Sequence, residues 1–124
     1  MPVLRSTEGT VHEMHGSRFT AYVAPSHGST ELCAWRLEVP AGTQGSAHHV
    51  SREEVLHILS GILEVSVDGT PATAEAGDTV LVPAGSSLRV DNPGTHPVAA
   101  WVTTSAGIEA VLADGTRLSP LWSR

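Results

Sequence analysis

His48, His49, Glu53, Glu54 and His57 fall within one short stretch of the chain. Imidazole and carboxylate are the side chains that hold divalent metals and also move protons near neutral pH. The two chemistries need different counts. A catalytic zinc normally takes three protein ligands, and a non-haem iron takes two histidines and a carboxylate. Proton transfer needs one base and one acid. Direction matters as much as number: neighbours on a strand point to opposite faces, so His48 and His49 cannot both enter one interior without a bulge. Of the seven histidines, His12, His15, His27 and His96 follow no spacing pattern and would reach a pocket only through the fold. Cys33 is the single cysteine, which excludes an intrachain disulfide, a thiol pair and a zinc cluster built on cysteines.

The chain that must position these residues has 124 residues, enough for one core and too few for two, so residues 1–124 are expected to form a single domain. Thirteen acidic side chains stand against seven basic ones, all arginine, and the formal charge of −6 argues against nucleic acid and against anionic membrane surfaces. No apolar run reaches the roughly 18 residues that a membrane span needs. The opening stretch MPVLRSTEGTVHEMHG lacks the apolar segment of a secretory signal, so a cytoplasmic location is expected.

Twelve glycines and eight prolines disfavour long helices and suit many short strands. Apolar, β-branched runs recur between Gly, Pro and Asp: Phe19 to Ala24, Leu32 to Val39, Glu54 to Leu59, Ile62 to Val67, Thr73 to Ala76, Thr79 to Val82, Ser87 to Val90, Pro97 to Thr103, Ile108 to Leu112 and Thr116 to Leu118. Leu63, Val65 and Val67 alternate toward one face and run into Asp68-Gly69, a tight-hairpin signal. Cys33, Trp35, Leu37 and Val39 form one face of their strand, with Arg36 and Glu38 on the other. Gly61 stands where the chain must reverse, and Pro83-Ala84-Gly85 fits a turn with Pro at its second position. Strands of this length and spacing describe an all-β sandwich or barrel.

Two segments resemble the two motifs of the cupin superfamily. Gly42, His48, Glu54 and Gly61 keep the spacing of the first motif, and Gly77, Pro83, Gly85 and Asn92 keep that of the second. The resemblance covers about residues 35–104 and implies a double-stranded β-helix, or jelly-roll barrel, that often dimerises. It also implies a divalent metal on three histidines and a glutamate inside the barrel. Carried over position by position, only His48 and Glu54 survive, because Val50 and Leu88 stand where two of the histidines belong. Reading His49 as the second histidine shifts the first to Ala47 and leaves the count at one histidine and one glutamate.

Two donors fall short of a resident metal, so no cofactor is expected. The alternative is one divalent ion on His48 and Glu54 with a further histidine, in which case the strand near His49 should carry a bulge. Without a metal, the barrel should be apolar around His48 and Glu54, lined by Val50, Leu56, Ile58, Val80, Val82, Leu88 and Val90. Such a pocket suits a small molecule. A His–Glu pair in it could act as acid and base in isomerisation, dehydration, epimerisation or cyclisation of a small carbonyl metabolite. Two alternatives stand beside this: a metal-dependent oxygenase or isomerase with a non-standard ligand set, and a non-catalytic binding or sensor module. The large side chains Trp35, Trp101 and Trp122 are more than one small interior can take, which predicts a homodimer.

Overall fold

Alternation of apolar and polar side chains sorts inner from outer positions on the long strands of the computed structural model, which describes residues 3–124. The strands are β1 (Thr10–Met14), β2 (Ser17–Val23), β3 (Leu32–Val39), β4 (His48–Val50), β5 (Glu54–Ser60), β6 (Ile62–Val67), β7 (Thr70–Glu75), β8 (Thr79–Val82), β9 (Ser87–Asp91), β10 (Val98–Ser105), β11 (Ala110–Val111) and β12 (Arg117–Leu118). They form two six-stranded sheets, β1-β2-β3-β10-β5-β8 and β12-β11-β4-β9-β6-β7. The pairings are antiparallel, and neighbours such as β3 with β10 or β4 with β9 are far apart in sequence. That is the connectivity of a jelly roll.

The expected strands are present, with shifted ends and two additions. β1 and β4 were not among the expected runs. β1 is a polar strand at a sheet edge, paired on one side only, so little apolar alternation marks it. β4 is three residues long. β7 starts at Thr70 rather than Thr73 and includes Pro71, tolerable because an edge strand leaves one row of N–H groups unpaired. The turn after β8 also differs: the Ser86 N–H donates to the Pro83 carbonyl, so Pro83 is the first residue of the turn and Gly85, at φ 84°, the third.

Between the sheets lies one core containing Trp35, Leu37, Val39, Val50, Leu56, Ile58, Leu63, Val65, Val82 and Leu88. At one end of the barrel, Asp68 joins two turns. Its carboxylate accepts from Ser86 Oγ at 2.9 Å and from the Ser87 N–H at 2.9 Å, and these bonds hold it below the usual carboxylate range. At the other end, the buried Asn92 donates from Nδ2 to the carbonyls of Val39 and His96 and accepts the Gly94 N–H. Trp122 stacks on Phe19 with ring centroids 3.7 Å apart and fastens the C-terminus to the inner face of β2. Trp35 and Trp122 are both buried within the chain, so one interior takes two of the three tryptophans. Only Trp101 stays half-exposed, on the outer face of the first sheet.

Two glycines separate conformational strain from steric need. Gly61 and Gly69 share a left-handed φ of 81° and 80°. A Cβ on Gly69 meets open space, whereas one on Gly61 lies 2.6 Å from the Pro97 carbonyl oxygen. Gly69→Ala should therefore cost about 1–2 kcal/mol, the ordinary price of that conformation. Gly61→Ala should cost clearly more, because the backbone of β10 must move. Urea unfolding of both variants checks this, and equal losses would contradict it.

Candidate functional site

Residues bring polar chemistry to the barrel interior from both sheets. In the second sheet, His48 lies directly opposite Leu88 across β4 and β9. Opposed residues of an antiparallel pair share a face, and Leu88 is part of the core, so His48 is on the inner face, half-buried. Val50, two residues on, shares that face and is buried. Its N–H donates to the Ser86 carbonyl and its own carbonyl accepts from Gly85, so the turn before β9 and the end of β4 are locked together. His49 pairs with Ser87 and is exposed on the outer side, and the β4–β9 register runs without a shift there.

In the first sheet, Glu54 lies opposite Val82 of β8 and Thr104 of β10, both buried, and its own exposure is 8%. Leu56 and Ile58 follow on the same inner face, while His57 points outward and its Nδ1 sits 2.9 Å from Thr79 Oγ1. Val80 and Val90 are partly buried against the core. Two concavities of the surface are lined by neither His48 nor Glu54. One, of about 570 Å³, runs beside Glu13, His15, Arg18, Arg36, Glu38 and Ser60 on the outer face of the first sheet. The other, of about 450 Å³, lies by Arg52, Glu53, Gly107, Glu109 and Arg117 at the barrel end where β5 begins.

The two members of the candidate pair differ in their local contacts. The His48 Nδ1 lies 3.1 Å from the Ser46 carbonyl, which can only accept, so Nδ1 carries a proton and, in the neutral ring, the lone pair is on Nε2. Glu54 has no such partner. Burial pushes its carboxyl up to about 7, and no charge or hydrogen bond opposes that effect. Thr104, absent from the sequence reading, fixes the entry to β5 by donating from its hydroxyl to the Glu53 carbonyl at 2.7 Å. Its signal was present in the alternation of Val98, Ala100, Val102 and Thr104, where a hydroxyl occupies an apolar position. Asp68 reads in the sequence as a turn residue alone, because the serines that it clamps, Ser86 and Ser87, lie far along the chain and give no local signal.

A resident metal does not fit these residues. Val50 and Leu88 have no lone pairs, and among the described residues no three His, Cys, Asp or Glu side chains gather around one point. His48 and Glu54 leave a catalytic zinc at least one protein ligand short.

The profile of the Cupin domain family matches residues 35–104. No curated protein matches the chain. Among solved structures, an RmlC-like cupin from Shewanella frigidimarina is similar with a TM-score of 0.73 at 20% identity, over 85% of this chain and 90% of that one. The polyketide cyclase RemF from Streptomyces resistomycificus gives 0.76 at 12% identity, over 85% and 79%. A sugar phosphate isomerase of the cupin superfamily from Silicibacter pomeroyi gives 0.71 at 18% identity, over 97% and 96%. At these identities the likeness is one of fold.

The raised Glu54 carboxyl has a consequence for stability. An acid whose value rises on folding contributes fully below its ordinary 4.5, and the contribution is lost as pH climbs through about 7. Glu54→Gln has no charge to bury. Relative to the parent, the variant should gain on the order of 3 kcal/mol between acid conditions and about pH 8. Denaturant unfolding across that range measures the difference, and a flat difference would show that the carboxyl is not desolvated.

Proposed function

We propose, from the premise that the chain belongs to the cupin family, that it takes a small carbonyl compound into the barrel and moves protons on it with His48 and Glu54. One observation carries this reading: Glu54 is buried, unpartnered and poised near neutrality, opposite the sheet that holds His48. Carboxyls in that state cluster where acid–base work is done.

The roles follow from the protonation states. The free Nε2 of His48 takes a proton from the carbon beside a carbonyl, while protonated Glu54 gives its proton to the carbonyl oxygen. The product is an enol. Return of a proton to a different carbon is isomerisation and to the opposite face epimerisation. Dehydration follows when a neighbouring hydroxyl takes the proton held by His48 and leaves as water while the enol returns its proton to Glu54. Two of the structures that the chain resembles bear the names of a cyclase and an isomerase, and both reactions fall within this class. Val50, Leu56, Ile58, Val80, Val82, Leu88 and Val90 give the ligand an apolar surround, which strengthens each polar contact. A binding module without turnover would use the same residues. No helix of the described residues is long and apolar enough to cross a membrane. We take the working form to be a cytoplasmic homodimer.

Exchange of α-protons for deuterium on cyclohexanone, followed by proton NMR, tests the reading without the natural substrate. The protein should accelerate exchange, and His48→Ala and Glu54→Gln should each lose about 100-fold of that acceleration. Equal rates with and without protein, alongside binding detected by methyl shifts, would leave the module reading in place. Elemental analysis of untagged protein should find less than one equivalent of metal. A full equivalent that disappears in His48→Ala would overturn the metal-free mechanism.

A further inference from the structure

We infer that Trp35 is a binding residue of the barrel, and that its indole N–H receives the carbonyl oxygen of the ligand. This assignment rests on the function proposed above and names a donor for the substrate. Trp35 is 3% exposed, and its Nε1 has no hydrogen-bond partner among the described residues. Buried polar groups are nearly always paired, and an indole N–H can only donate, so what it lacks is an acceptor. The one other buried side-chain atom without a partner among those residues is the Ser29 hydroxyl, which lies before β3 and can rotate to suit. The indole cannot. Its ring is packed edge-on against Trp122, with centroids 6.4 Å apart.

The register places that donor near the candidate pair. Trp35 opposes Val102, which opposes Leu56, and all three are buried on the inner face of the first sheet. The next inner row along these strands is Cys33, Thr104 and Glu54. Two strand spacings and two residues of rise put the Cα atoms of Trp35 and Glu54 about 12 Å apart. One small molecule can meet both side chains over that span. The two sheets stack in the same order, because β5 passes to β6 through Gly61 alone and β7 to β8 through residues 76–78. β3 and β4 are each third in their sheets, so Trp35 lies on the strand across from that of His48. The indole and protonated Glu54 both offer a proton. A carbonyl oxygen has two lone pairs and can accept from each, whereas an ammonium or a metal cation accepts from neither. As negative charge gathers on that oxygen, a fixed N–H stabilises it.

Proton–nitrogen NMR of isotope-labelled protein tests the assignment with two probes, cyclohexanone and methylenecyclohexane, the same ring without the oxygen. The Trp35 indole proton should move downfield with cyclohexanone and not with methylenecyclohexane. Trp35→Phe should weaken cyclohexanone binding about 5-fold, the net value of one hydrogen bond, and leave methylenecyclohexane binding unchanged. Triple-resonance assignment of the indole in the parent keeps the test alive if Trp35→Phe fails to fold. An equal shift with both probes, or none while cyclohexanone binds and exchanges its α-protons faster, would overturn the role of Trp35 alone. An indole that contacts the same long-lived water with and without the ketone would do the same. No binding of either probe would overturn the barrel site and this assignment together.

Discussion

Val98 to Ser105 is hydrogen-bonded to β3 on one side and β5 on the other, and its register decides what faces inward on three strands at once. Val98, Ala100, Val102 and Thr104 turn to the core, while Ala99, Trp101, Thr103 and Ser105 turn to the outer surface. Glu54 is inside because it opposes Thr104, and His57 is outside because it opposes Trp101. A slip of one residue would exchange these sets, expelling the carboxyl and burying the tryptophan. The one irregularity between β10 and β5 lies at Ala99/Ala100, near Ser60, so the pairing from Ile58 to Glu54 is continuous. The candidate pair's Glu54 and the half-exposed Trp101 thus lie on opposite faces of one sheet.

The interior is shaped by two substitutions. Histidine at the positions of Val50 and Leu88 would bring polar rings, water and a cation to the barrel. Valine and leucine bring methyl groups that close around the remaining polar side chains. A carboxylate then loses the solvent and the positive charge that would keep it ionised, and Glu54 responds by holding its proton. His48 is half-buried and anchored to the Ser46 carbonyl. The supports around the site are hydrogen bonds made by small polar residues. Asp68 with Ser86 and Ser87 holds the turn before Leu88, and Thr104 with Glu53 holds the start of β5.

Much of this was legible in the sequence because it depends on local rules. Alternation over Leu32–Val39 and Ile62–Val67 gave strand bounds that match, and Asp68-Gly69 adopts the two positive φ values that a tight hairpin requires. His49 was read as pointing away from His48, and the register agrees. The illegible parts depend on pairing at a distance. β4 is too short to carry a pattern, and it exists because β9 and β11 flank it. The burial of Trp122 needs Phe19, more than a hundred residues away in the chain. Whether the Glu54 carboxyl finds a donor depends on what β8 and β10 place beside it, and no spacing rule states that.

Most depends on the state of that carboxyl, and a carbon-13 NMR titration of the Glu54 side chain reads it directly. A midpoint near 7 would show a desolvated acid able to give and take a proton under working conditions. A midpoint at the ordinary 4.5 would mean that water or a cation reaches Glu54, and the apolar acid–base site would be wrong.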